Sequence, residues 1–130
     1  MAYYMDTSAL VKLVVAEDET PALRAWIAAA DAPLVACDLA RAELMRAVRR
    51  AAPDRVVQAR AVLDAVTMLT VATATFETAG RLDPAITRTF DALHLAAALE
   101  LGDDLAAVVT YDARMADAAQ AHGVAVLAPR

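Results

Sequence analysis

The chain has 130 residues, of which 60% are hydrophobic and only 5% aromatic, and it carries a net charge of −5. That length predicts one domain over residues 1–130, packed mainly by Ala, Val and Leu. No apolar run nears the ~20 residues of a membrane span, and the acidic balance argues against gripping nucleic acid by bulk positive potential. Met1–Met5 lacks a basic start and meets Asp6 at once, so no secretory signal is expected. The lone Cys37 rules out an intrachain disulfide; it reads as a small buried hydrophobe in a reducing cytoplasm.

Short β-prone runs alternate with longer helical patterns. Ala2–Met5 is the first expected strand, followed by a helix over Ser8–Val15 and another over Pro21–Ala30, whose proline suits a first turn. Strand Leu34–Cys37 leads to helix Leu39–Ala51, where Ala40, Leu44, Ala47 and Val48 form the apolar stripe and Glu43 lies beside it. Pro53 breaks the chain before a helix over Pro53–Val66, then come strand Thr67–Val71 and helix Thr75–Leu82. Helix Asp91–Leu101 runs up to Gly102, and strand Ala107–Thr110 precedes helix Ala113–His122, which Gly123 closes. Val124–Leu127 is the last strand. This alternation implies an α/β fold, a parallel sheet covered by helices on both faces. The functional crevice of such a sheet lies beyond the carboxyl ends of its strands.

Four acids draw attention there. Asp6 directly follows the first strand, Asp112 stands two residues past Thr110, Asp91 opens a helix, and Glu43 lies inside one. Each has an ordinary explanation: the aspartates suit helix caps, and Glu43 has Arg46 three residues on as an ion-pair partner. Brought together, however, four carboxylates cannot all stay ionised, because each raises the pKa of its neighbours. A divalent cation resolves that repulsion, and oxygen donors without a thiol cluster favour Mg²⁺ or Mn²⁺. Such an ion generates hydroxide from water and stabilises charge on a phosphodiester in flight.

Met5-Asp6-Thr7-Ser8-Ala9-Leu10 resembles the opening motif of PIN domains, and Ala42-Glu43-Leu44-Met45-Arg46-Ala47-Val48 resembles their second acidic motif. Asp91-Ala92-Leu93-His94-Leu95-Ala96 is similar to the third and Thr110-Tyr111-Asp112 to the fourth. Order, spacing and length resemble VapC-type toxins of bacterial toxin–antitoxin pairs across essentially the whole chain. The resemblance implies a five-stranded parallel sheet flanked by helices and a metal-dependent endoribonuclease. It makes Asp6, Glu43, Asp91 and Asp112 the catalytic and metal-binding acids, with Thr7, Ser8 and Thr110 in support. It also implies an RNA substrate cut to leave a 3′-hydroxyl and a 5′-phosphate, a homodimer, and a cognate antitoxin that inhibits the enzyme. The alternative is a catalytically silent PIN-like binding domain.

Other residues have two readings each. Asp117 is a solvated helix acid or a further metal ligand; His94 is a packed histidine or a proton shuttle. His122 suits a helix C-terminus, and Trp26 suits the core or an interface. Arg41, Arg46, Arg49, Arg50, Arg55 and Arg60 concentrate on two successive helices and their turn. Arg46, Arg49 and Arg50 are candidate contacts for RNA or for an acidic antitoxin segment, against a plain solvated face. A phospho-receiver module is excluded by residues: the third strand ends without an aspartate, and the only lysine, Lys12, is near the start. An aspartyl phosphatase would want Asp-x-Asp where Asp6-Thr7-Ser8 stands. Three glycines supply no phosphate-cradling loop.

Overall fold

The first strand lies at the centre of the sheet, so every later strand is added outward from it. The computed structural model describes all 130 residues. Its strands are β1 (Ala2–Met5), β2 (Leu34–Cys37), β3 (Thr67–Leu69), β4 (Leu105–Val109) and β5 (Val126–Leu127), all parallel, in the order β3-β2-β1-β4-β5. The helices are α1 (Thr7–Lys12), α2 (Thr20–Ala29), α3 (Leu39–Ala51), α4 (Val56–Ala65), α5 (Thr73–Arg81), α6 (Thr89–Leu99) and α7 (Ala113–Ala121). The chain builds one half of the sheet from β1 to β3, then returns to the other side of β1 for β4 and β5. The winding direction therefore reverses between β1 and β4, where a crevice opens past their carboxyl ends.

Side-chain alternation along the strands sends residues to two separate cores. Met5, Ala36 and Val109 join Leu10, Leu23, Leu44, Val48 and Leu63 on one face. Tyr4, Val35, Cys37 and Val108 join Leu95, Ala98, Met115 and Ala119 on the other. Helix α6 is buried continuously from Ala92 to Ala98, and a helix apolar all round belongs inside a fold. Four alanines in that stretch let it lie close to the sheet and to α5. Trp26 packs edge-to-face on Tyr3, with centroids 4.8 Å apart at 78°, against the first core.

Several boundaries differ from the sequence expectation. Helix α1 stops at Lys12 instead of Val15, and both edge strands are shorter than expected. An edge strand has one neighbour, so pairing supports fewer residues. The expected helix over Pro53–Val66 is a 3₁₀ turn, Pro53–Arg55, followed by α4. Asp91 does not open its helix: α6 begins at Thr89 with Arg88 in the capping position, which puts Asp91 in the first turn. Gly123 fulfils its assignment. At φ +72° it closes α7, donating to Gln120 O at 2.9 Å while Val124 N–H reaches Ala119 O at 3.0 Å.

Candidate active site

Asp6 emerges from the centre of the sheet already in its working position. It is 5% exposed, and β1 fixes its backbone through Asp6 N–H to Val109 O at 3.0 Å. Its Oδ2 accepts from Ser8 Oγ at 2.7 Å, from Thr110 Oγ1 at 2.9 Å and, more weakly, from Ser8 N–H at 3.4 Å. The two hydroxyls lie 3.1 Å apart. Tyr111 N–H donates to Ser8 Oγ at 3.0 Å, and Asp112 N–H donates to Thr110 Oγ1 at 3.1 Å. One carboxylate oxygen is therefore fully engaged, and Oδ1 takes none of these bonds. Asp6 caps α1, and Asp112 caps α7 by accepting from Arg114 N–H at 2.9 Å. The capping reading and the site reading hold for the same side chains.

Asp91 approaches from α6. Burial raises its pKa, and the charges of Asp112 and Asp6 raise it further, against smaller opposing effects of His94 and Arg88. Three aspartates from separate elements thus share one electrostatic environment. Glu43 reaches the same place from the second turn of α3 without pairing with Arg46. Its Oε1 accepts from Thr7 Oγ1 at 2.9 Å and lies 2.5 Å from His94 Nε2. His94 Nε2 is also 4.0 Å from Asp6 Oδ1. No three acidic, histidine or cysteine side chains converge tightly enough to form a closed ion cage.

His94 is 1% exposed and carries more of the site than its sequence position suggests. Its Nδ1 lies 2.7 Å from Tyr4 OH and 3.7 Å from Cys37 Sγ. Desolvation disfavours the imidazolium, yet its partners Cys37 and Glu43 and the Asp6 charge outweigh that and push its pKa up to about 10. The Cys37 thiol is held below its ordinary value: burial acts to raise it, and His94 with Tyr4 overrides burial. His94 therefore presents Nε2 to Glu43 and Nδ1 to Tyr4, joining the acids to the core. Asp117 lies exposed on α7, and His122 caps that helix with Nε2 2.7 Å from Asp83 O.

The loop between Thr110 and Asp112 is anchored from behind by residues that the sequence pattern did not reveal. Lys12, 8% exposed, meets Glu19 at 2.9 Å and Glu17 at 3.3 Å, and its ammonium sits 4.7 Å from the Tyr111 ring centroid. Arg130 approaches the same ring at 5.8 Å and pairs with Glu19 at 3.3 Å, while Tyr111 OH donates to Pro129 O at 2.7 Å. A buried lysine in a sequence is ambiguous until its carboxylates are seen, and these lie five and seven residues further on.

Carboxylates gathered at the switch point of a five-stranded parallel sheet, braced by hydroxyls, define the class. Residues 3–121 match the PIN domain family. The chain is 44% identical over 128 residues to Ribonuclease VapC46 of Mycobacterium tuberculosis, covering 98% of each, and it belongs to the PIN-domain family of VapC ribonucleases. The fold is shared with the crystal structure of M. tuberculosis VapC20, described as a sarcin–ricin loop cleaving toxin, at TM-score 0.79, 18% identity and coverage of 98% and 99%. It is shared too with a toxin–antitoxin complex from Klebsiella pneumoniae, at TM-score 0.69, 19% identity and 98% coverage of both chains.

The donor set fits a hard divalent cation. Asp6 Oδ1 takes no hydrogen bond and has only His94 Nε2, at 4.0 Å, as a charged neighbour, Asp91 feels the negative charge of Asp112 and Asp6 that a cation would offset, and the one thiol is buried behind His94.

Proposed function

We propose that this chain is a Mg²⁺- or Mn²⁺-dependent endoribonuclease, acting as the toxin of a toxin–antitoxin pair, with residues 1–130 working as one PIN domain in the cytoplasm. The observation that supports the reading is Asp6 at the end of β1, clamped by Ser8 and Thr110, with the charges of Asp6 and Asp112 acting on Asp91 and with Glu43 joined to Thr7 and His94. Asp6 and Asp91 would hold the principal ion, with Asp112 and Glu43 completing its surroundings directly or through water. When bound, the ion supplies a low-pKa water and positive charge for a phosphodiester. Ser8 and Thr110 lock Oδ2 of Asp6 and leave Oδ1 as the oxygen for a ligand, which fixes the side chain before substrate arrives. Glu43 Oε1, paired with His94 Nε2, is positioned to orient a water or take its proton. The expected products carry a 3′-hydroxyl and a 5′-phosphate.

The partners follow from the surface. Arg46, Arg49 and Arg50 together line a groove of about 230 Å³ on α3, which supplies the local positive site that a chain of net charge −5 needs for RNA. The same groove suits carboxylates of an antitoxin, so occupation by the antitoxin would exclude RNA and inhibit. A second copy suits another surface. Both phenylalanines of the chain are exposed, Phe76 by 52% and Phe90 by 58%, and with Leu39, Ala42 and Val71 they line a cavity of about 530 Å³ that also reaches Glu43. Two exposed aromatic rings on one apolar patch support a homodimer. No helix is long and apolar enough to cross a membrane.

The test is cleavage of structured RNAs with Mg²⁺ or Mn²⁺ present and with EDTA, mapping the ends. Asp6→Asn keeps the capping oxygen and removes the charge, so the variant should fold normally and lose cleavage by about 10²-fold or more. Full activity in Asp6→Asn, or cleavage indifferent to EDTA, would refute the assignment.

A further inference from the structure

Phe90 and Asp91 are consecutive in α6, about 100° apart around the helix, and they line different cavities. Phe90 faces the apolar patch beside Glu43. Asp91 lines a cavity of about 610 Å³ whose walls include Ile86, Thr87, Arg88, Arg114 and Asp117. The two cavities share no residue, and the one that Asp91 lines carries an arginine pair of its own, Arg88 and Arg114, separate from the α3 arginines.

The chemistry of that second cavity is specific. Arg88 occupies the capping position of α6 and Arg114 the first turn of α7, so two guanidinium groups reach it from the starts of two helices, where backbone N–H groups point outward. Ion pairs in the structure involve Lys12, Arg41, His94 and Arg130, and neither Arg88 nor Arg114 has a carboxylate partner. Both are exposed and free to bind. Ile86, 90% exposed at the same wall, adds an apolar surface. An unpaired guanidinium binds phosphate oxygens bidentately, and a pair of them beside a hydrolytic carboxylate is placed for the backbone of the chain being cut, not for the scissile group itself.

We infer that the Arg88–Arg114 cavity is a subsite for RNA phosphate adjoining the cleaved bond, so that substrate is held by Arg88 and Arg114 where it passes Asp91. The inference rests on the ribonuclease reading and extends it by assigning the other half of the substrate path. With Asp91 neutralised by its cation, the cavity is left with two positive charges against Asp117 alone. A substrate phosphate held beside Asp91 restricts how the bond to be cut can move, which favours a fixed line of attack.

The experiment uses Arg88→Gln/Arg114→Gln and the matching double lysine variant, with steady-state cleavage of the RNA that the wild type cuts. The glutamine variant should raise KM by roughly tenfold or more with kcat within about threefold, and it should flatten the salt dependence of kcat/KM by about one unit or more of log–log slope. Lysine should restore the slope but only part of the affinity, because it lacks the bidentate fork. In parallel, fluorescence anisotropy of a labelled single-stranded RNA of mixed sequence is read on Asp6→Asn protein with and without the two glutamines, and weaker binding with the glutamines is expected. Unchanged KM in the glutamine variant, or a fall in kcat alone, overturns the subsite while leaving the nuclease standing. If the wild type cuts no RNA, the nuclease reading fails, and equal anisotropy with and without the two arginines overturns the subsite as well.

Discussion

His94→Ala is expected to cost this fold much of its stability. The ring is 1% exposed, and its two nitrogens serve groups that cannot easily find other partners. Losing a charge-assisted bond to Glu43 costs about 1.5–3 kcal/mol, and leaving the buried Tyr4 hydroxyl unpartnered costs about 1–3 kcal/mol more. Glu43 is 26% exposed at its side chain and rehydrates, so no further penalty is assigned to it. The sum, roughly 3–6 kcal/mol, is a large part of the ~5–15 kcal/mol that holds an ordinary domain together. For a chain of this length it corresponds to a fall in Tm of roughly 10–20 °C. Urea denaturation followed by circular dichroism reads the same loss as a shift in midpoint. Tyr4→Phe provides the internal check. It removes the hydroxyl that His94→Ala would orphan, so the double variant should lose less than the sum of the singles, by about 1 kcal/mol or more. A stability within about 1 kcal/mol of wild type for His94→Ala, or strict additivity with Tyr4→Phe, would show that the buried network does not have the role assigned to it.

Two further outcomes are expected. Phe76→Asp should dissociate the proposed homodimer: half-exposed rings from two copies contribute about 2–3 kcal/mol of burial, or ~30- to 150-fold in Kd, before the cost of burying an aspartate is added. Sedimentation velocity across a dilution series reads this, and an unchanged association state excludes the Phe76–Phe90 patch as the interface. Acid should loosen the C-terminal residues before the fold. The Lys12 hydrogen bond, with the Lys12 and Arg130 charges, holds the Glu19 carboxyl below its usual 4.5. A depressed carboxylate contributes stability that is present above 4.5 and lost as pH falls through the lowered value. Amide exchange at residues 127–130 should therefore quicken below about pH 4.5 relative to its intrinsic rate, and Lys12→Met should abolish that step. A tail indifferent to pH down to 3 would contradict it.

Local pattern was enough to place Asp6, Asp112 and Glu43 on their elements, because each depends on residues within a turn of itself: a strand end, a cap, an apolar stripe. The parallel sheet was legible for the same reason, since strands buried on both faces are apolar throughout. Asp91 was misplaced by one turn because Thr87-Arg88-Thr89 carries no capping side-chain bond to mark the true start. His94 looked like a packed histidine, which it is. That its ring also joins Tyr4 to Glu43 depends on contacts spanning 90 and 51 residues. The Lys12–Tyr111–Arg130 anchor was invisible for the same reason, since no spacing rule links a helix end, a loop and the last residues of the chain. The sequence resemblance named the acids and the hydroxyls of Thr7, Ser8 and Thr110 beside them, but said nothing of Tyr4, Lys12 or Arg130, which brace the site from behind.

The order in which the polypeptide is made has a consequence for when this centre can exist. The middle strand and its aspartate are translated first, yet Thr110, which grips that aspartate, comes 104 positions later. At roughly 5–20 residues per second this is a delay of about 5–20 s, during which Asp6 has no hydroxyl from β4 and no partner on that side of its strand. The clamp on Asp6 therefore waits on a residue made long after it, and the site is assembled only once β4 and the loop after it have been added.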